Sequence, residues 1–399
     1  MDDHPEPLDL HAPLVLGTQT LAGLWRAVLP EEAQWMKLPT ERFADCSSCA
    51  PAQRGDYDPG CRCCAHLPHV PNVSLGLALE RPETAAQVRR VLAQGVALPS
   101  GLWAGPAHFK REVTLQAEEA YGTDASMACP FFDAPTAACG IYAYRNSVCS
   151  SFFCEHDHGA AGEDLWSRVQ AVLGSAETAL QQWAMGQAGL SWAVQSARMA
   201  ELTPRLTEIS AGTGWTEEAL RHIWGEWRGR EELFYARCLA AVREHEDSLA
   251  ETLGQWAVTD AVEFELAARD LLAPEHRHEA PPVATGTTER VPLAELWYSL
   301  QLELRNLWSL PLGETLRWAP GVSVTSAEPT LPVLGQTLHR VEGGARPYGL
   351  TEEELTLFGL FREGRALDAR VLDSEAADAV SDPRGFLSEC VRRELLVSE

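Results

Sequence analysis

Through the middle of this 399-residue chain, apolar residues recur every three to four positions. Leu165, Trp166, Val169, Val172 and Leu173 follow that spacing, and so do Leu220, Ile223, Trp224 and Trp227. Residues so spaced share one face of an α-helix, so both runs predict amphipathic helices in a helical region from about 163 to 273. A third helix is expected from Glu231 to Leu253 and a fourth from about Asp260 to Leu272. Upstream, Pro82 to Leu92 puts Val88, Val91 and Leu92 on one face. Downstream, 274–292 is rich in Pro, Thr and His and reads as a linker, with His276 and His278 as solvated loop residues. A helix around Leu293–Leu307 and strand-like character over 315–340 follow. Thr351-Glu-Glu-Glu354 is a capping box that opens a helix carrying Leu355, Phe358, Leu360 and Phe361. Short helices over 366–373 and about 384–396 complete the chain.

These patterns predict a mainly α protein in four parts. A loop-rich domain occupies 1–160, where nine clustered cysteines point to stapling by metal, and a helical domain occupies 161–275. A linker and mixed segment covers 276–345, and a small C-terminal helical unit 346–399. The order of elements in the last part resembles small winged-helix or PqqD-like peptide-binding modules. Trp183, Trp192, Trp215 and Trp256 are expected to pack between helices. No internal repeat is evident.

Charge narrows the partners. The formal net charge is −25, from 57 acidic and 32 basic residues, and the only lysines are Lys37 and Lys110. Such a balance repels phosphate backbones, so no nucleic-acid partner is expected. The Met-Asp-Asp-His-Pro-Glu start lacks the basic region of a secretory signal. No run approaches the ~18 apolar residues of a membrane span. A cytoplasmic, reducing address is therefore expected, with a protein or small-molecule partner and no membrane. Clustered cysteines in that setting point to metal binding or redox chemistry before disulfides.

The cysteines are clustered indeed: nine of eleven lie in the first 154 residues. The first block is Cys46-Ser-Ser-Cys49, then Cys61-Arg-Cys63-Cys64. The second is Cys129-Pro-Phe-Phe-Asp, Cys139-Gly-Ile-Tyr, Cys149 and Cys154. A Cys-x-x-Cys turn can present two sulfurs to one ion, and tetrahedral zinc takes four at about 2.3 Å. Nine thiols suffice for two four-cysteine sites with one left over, or for one multinuclear site. Cys63 and Cys64 are adjacent, so their side chains tend to diverge. Phe131, Phe132, Ile141, Tyr142, Tyr144, Phe152 and Phe153 interleave with the second block and would limit water access. Cys238 and Cys390 lie within predicted helices and read as small buried apolar residues.

These blocks resemble the YkgJ-type cysteine-cluster family, the CxxCxxCC zinc- or iron-chelating domain. Cys129-Pro-Phe-Phe-Asp matches the opening of its second group and Cys139-Gly-Ile-Tyr142 the next step. Arg145, Cys149 and Phe152 then fall in register. Asn146 stands where the pattern has proline and Ser150 where it has a second arginine. Eleven residues separate Cys49 from Cys61, a longer spacer than the family's. The likeness covers roughly 46–154. It implies metal chelation by Cys46, Cys49, Cys61, Cys63, Cys64, Cys129, Cys139, Cys149 and Cys154, with the share of Cys61, Cys63 and Cys64 left open.

Four thiolates suit zinc or an iron–sulfur cluster equally, so the cofactor is zinc or iron–sulfur. Neither the ferredoxin Cys-x₂-Cys-x₂-Cys run nor the Cys-x₃-Cys-x₂-Cys run of radical-SAM enzymes is present. His66, His69, His156 and His158 flank the blocks as further candidate ligands. No His-Glu-x-x-His, Gly-x-Ser-x-Gly or phosphate-binding Gly-x-x-x-x-Gly-Lys occurs. Three readings follow: a YkgJ-type metal-binding module serving a helical domain, a metalloenzyme, or a metal chaperone or redox sensor. For the enzyme, the layout is similar to that of flagellin lysine methylases, without their Cys-Cys-x-x-Trp environment.

Overall fold

The computed structural model describes residues 9–17, 19–29, 38–41, 45–205, 208–246, 312–326, 339–344 and 348–398, with 249, 252–253, 300 and 310. The predicted helix at 260–272, the linker at 274–292 with His276 and His278, Trp256, and all of the predicted helix at 293–307 except Leu300 lie outside these residues.

The fold is mainly α, with small antiparallel sheets. The first unit comprises Met1–Pro30, Pro39–Asp157 and Leu173–Val291, and the second Glu31–Leu38, His158–Val172 and Pro292–Glu399. This grouping does not follow the expected divisions at 160 and 275. In the first unit, strands β1 (Leu14–Leu16) and β2 (Gln19–Leu21) form a hairpin before helix α1 (Trp25–Val28). Next come α2 (Ala50–Arg54), α3 (Asn72–Glu80) and α4 (Pro82–Val91). A hairpin of β3 (Ala97–Leu98) and β4 (Gly101–Leu102) leads to α5 (Pro106–Ala117). Strands β5 (Phe132–Asp133) and β6 (Ala138–Cys139) precede α6 (Ser147–Ser151). The long α7 (Gly159–Gln187) begins in the second unit and ends in the first.

The rest of the first unit is α8 (Trp192–Leu202), the hairpin β7 (Ser210–Ala211) and β8 (Gly214–Trp215), α9 (Glu217–Trp224) and α10 (Glu231–Glu244). Its core explains why the cysteine-bearing and helical regions belong together. Helix α3 is buried from Asn72 to Ala78. It packs on α10 through Gly76, where a Cβ would come within 2.8 Å of the Tyr235 carbonyl oxygen. The Asn72 amide nitrogen donates to the carbonyls of Pro99 and Gln181, at 3.1 Å each, so this buried polar group is satisfied. Trp224 meets Phe234 and Tyr235 edge-to-face, with ring centroids 5.4 and 5.9 Å apart. Trp224 Nε1 and the Tyr235 hydroxyl, both 2.8 Å from their acceptors, donate to the Ala97 and Leu98 carbonyls. Leu165, Trp166, Val169, Val172 and Leu173 are buried, as their periodicity predicts, and so are Trp183, Trp192 and Trp215.

The second unit carries strands where strand-like character is expected near 315–340, and it adds strands within 346–399, the part expected to be helical. Strands β9 (Thr315–Trp318), β10 (Ser323–Ser326), β11 (His339–Glu342) and β12 (Tyr348–Leu350) precede α11 (Glu352–Gly359). Then come β13 (Arg365–Ala366), α12 (Ala369–Leu372), α13 (Glu375–Asp378), α14 (Pro383–Arg392) and β14 (Leu396–Ser398). The sheets run β10-β11-β12 and β13-β9-β14. The last helix stops at Arg392 and not near 396, because Glu394 adopts a left-handed φ of 59°. The chain then returns as β14, pairing Leu396 with Trp318. Leu316, Val341, Phe358, Phe361, Phe386 and Leu387 share one core.

Candidate functional site

A cavity of about 530 Å³ in the first unit is lined by Cys46, Cys49, Cys63, Cys64, Cys129, Cys139, Cys149 and Cys154. Two separate sequence blocks thus reach one space. Phe131, Phe132, Ile141, Phe152 and Phe153 form much of its apolar wall. Arg62, His66, Tyr121 and Arg145 also line it. None of the eleven cysteines is in a disulfide.

Local structure aims each thiol. Cys46 opens a 3₁₀ turn capped by Asp45, whose carboxylate accepts from the Ser47 amide at 2.9 Å and from the Ser47 and Ser48 hydroxyls at 2.6 and 2.7 Å. Those hydrogen bonds hold the Asp45 carboxyl down to about 2. Cys49 is the N-cap of α2, with Pro51 inside the first turn. Arg62 donates to the Cys46 carbonyl, joining the two halves of the first block. The Cys129 amide donates to the Cys64 carbonyl at 2.7 Å, which ties the first block to the second. The β5–β6 hairpin sets Cys139 opposite Phe132. Asn146 caps α6 by accepting from the Cys149 amide at 2.9 Å, while its own amide nitrogen holds the His69 carbonyl at 3.1 Å. Cys154 follows α6, and the next residue, Glu155, pairs with Arg54 at 2.7 Å.

Cys61 stands apart. It is fully buried, does not line the cavity, and points its S–H at the Gly122 carbonyl, 3.3 Å away. Burial, helped by the Asp58 charge, pushes its thiol up to about 11. The structure therefore separates Cys61 from Cys63 and Cys64, a choice the spacing leaves open.

The cavity thiols influence one another. A hydrogen bond with Cys64, then burial, raises Cys63 far above the ordinary thiol range. Burial and then charge on Cys63, Cys49 and Cys154 raise Cys46. Cys154 is raised by burial and then by Cys63 and Cys49. Burial raises Cys129, with Cys149 and Cys139 adding to it, and burial pushes Cys149 up to about 12. Two overlapping neighbourhoods emerge: Cys46, Cys49, Cys63 and Cys154 in one, and Cys129, Cys139 and Cys149 in the other. Arg145 offsets some of that charge. It donates to the Cys149 carbonyl at 2.9 Å and lies 3.7 Å from the ring centroid of half-exposed Tyr142.

The donor set fits a thiophilic metal in chemistry: eight cysteines and two arginines line one space. In geometry the thiols stand around the wall. Among the described residues, no group of three or more His, Cys, Asp or Glu converges closely enough to hold an ion.

Of the four candidate histidines, His66 alone lines the cavity. His69 is buried against Trp103 with ring centroids 4.6 Å apart, and burial pushes its imidazole down to about 4. His156 faces Glu41 at 3.3 Å, and Glu41 also accepts from the Asp157 amide at 2.6 Å. Sequence reasoning missed Arg62, Tyr121 and Glu41, because none stands at a ligand spacing. It also missed Glu177, fully buried 2.9 Å from the Ser147 amide with its carboxyl pushed up to about 8 by burial. Among the described residues, no helix is long and apolar enough to cross a membrane. Comparison of the chain with family models, curated proteins and solved structures finds no match.

Proposed function

We propose that this chain is a metal-binding protein of the YkgJ type, holding zinc or an iron–sulfur cluster through its N-terminal cysteines. One observation carries the reading: eight of the nine N-terminal cysteines, from two blocks some 65 residues apart in sequence, line one cavity. Buried small apolar cysteines would have no reason to gather at a common surface. On this reading Cys46, Cys49, Cys63, Cys64, Cys129, Cys139, Cys149 and Cys154 supply the thiolates, and Cys61 fixes the loop that carries Cys63 and Cys64. The departures from the family pattern have local reasons that support it. Asn146, in the place of a proline, caps the helix that bears Cys149. With Ser150 in the place of an arginine, Arg62 and Arg145 are the cations lining the cavity.

The test is metal and acid-labile sulfide content on protein purified without oxygen from medium ample in both metals. At least one equivalent of zinc, or iron with sulfide, is expected per chain. Less than half an equivalent of either metal overturns the reading.

A redox-sensing or metal-chaperone role is the second reading, favoured by the exposure of Cys46 at the cavity. It predicts that mild peroxide releases metal with loss of free thiols. Metal retained under peroxide contradicts it. A cytoplasmic address and a protein or small-molecule partner belong to the same proposal, as does a winged-helix-like role for the C-terminal unit, where α14 leads directly into β14.

A further inference from the structure

We propose that His66 contributes a nitrogen donor to the cysteine cavity beside Cys63 and Cys64, making the metal shell a mixed nitrogen–sulfur one; this rests on the metal-binding reading above. The Tyr121 hydroxyl donates to the Cys63 carbonyl at 2.8 Å, and a carbonyl oxygen can only accept. The phenol has one hydrogen, so it is spent there. His66 Nδ1 lies 2.9 Å from the same hydroxyl oxygen and must therefore be the donor. In a neutral imidazole that leaves the lone pair on Nε2. The chain Nδ1–H to Tyr121 to Cys63 thus fixes both ring orientation and tautomer, as an outer partner does for a metal-bound histidine.

Position agrees with the tautomer. His66 and Tyr121 line the cavity with Cys63 and Cys64. With Nδ1 committed to Tyr121, Nε2 is the nitrogen that keeps a lone pair, and no hydrogen bond engages it among the described residues. The other three candidate histidines do not line the cavity. Mixed nitrogen and sulfur donors suit zinc and its spectroscopic stand-in, cobalt(II).

The experiment titrates full-length, oxygen-free protein with cobalt(II) and reads both the d–d spectrum and the affinity. His66→Ala is expected to change the spectrum and weaken binding at least about ten-fold. Tyr121→Phe, which keeps the ring but frees the tautomer, is expected to weaken it about ten-fold, the lower end of what loss of an outer partner costs. Free imidazole is expected to restore the wild-type spectrum in His66→Gly. Wild-type spectrum and affinity in His66→Ala overturn the role of His66 while leaving the thiolate site standing. If His66→Ala does not fold, unchanged affinity in Tyr121→Phe overturns the proposal. Failure of the wild-type protein to bind cobalt overturns this proposal and the zinc form of the metal-binding reading, while iron with acid-labile sulfide in the same protein keeps the iron–sulfur form standing.

Discussion

Glu177 is a buried carboxyl that accepts from the amide and the side chain of Ser147, at the start of the helix that bears Cys149. Burial lifts it from an ordinary 4.5 to about 8. The folded protein therefore keeps a proton that the unfolded chain releases between those values. The contribution of Glu177 to stability is fully present below about pH 4.5 and is lost as pH rises toward 8, by about 1.4 kcal/mol per unit inside the window. Glu177→Gln, which can still accept from Ser147, is expected to flatten that dependence. Urea midpoints at pH 5 and pH 8 check it, and an unchanged slope contradicts it. Cys61 gives the second prediction at this scale. Cys61→Ala should cost about 1–2 kcal/mol through its lost contact with Gly122 and leave the metal content unchanged, whereas Cys63→Ser should lower that content. Loss of metal in Cys61→Ala would return Cys61 to the ligand set. That distinction was not legible in the sequence, because Cys61, Cys63 and Cys64 sit on one turn and only the fold decides which face the cavity.

At the scale of elements, Asn146 couples the short helix α6 to the loop before α3, through its cap on Cys149 and its hold on the His69 carbonyl. Asn146→Ala is expected to cost about 1 kcal/mol or more and to lower metal affinity, while Asn146→Asp, which keeps the cap, retains more of it. Equal behaviour of the two variants would remove the cap from the account. Elements with regular apolar spacing were the legible ones. Pro82–Val91 matches its expected bounds to one residue, and Thr351 forms the expected capping box. Helix α5 was not legible because it buries only Pro106 and Leu115, too few to print a period. Strand β14 was hidden for a different reason. Leu395 and Leu396 are both buried and continue the apolar run of α14, and only the turn at Glu394 converts it to a strand. The convergence of the two cysteine blocks was legible as residue type and not as geometry, since it depends on backbone contacts such as Cys129 to Cys64.

At the scale of the molecule, two compact units carry different loads: one holds the cysteine cavity, the other the core around Phe358 and Phe386. A metal bound to one unit stabilises that unit by mass action. Chelation is therefore expected to lower one calorimetric transition by several degrees and leave the other in place. Thr351→Ala, which removes a cap in the second unit at a cost of about 1 kcal/mol, is expected to move only the other transition. A single transition shifted by both treatments would contradict this independence. The central claim is that the cavity thiols bind metal, and its most direct test is X-ray absorption at the metal edge of the oxygen-free protein. The account predicts a first shell dominated by sulfur, at about 2.3 Å if the metal is zinc. A shell of oxygen and nitrogen alone, on protein that carries the metal, would contradict it.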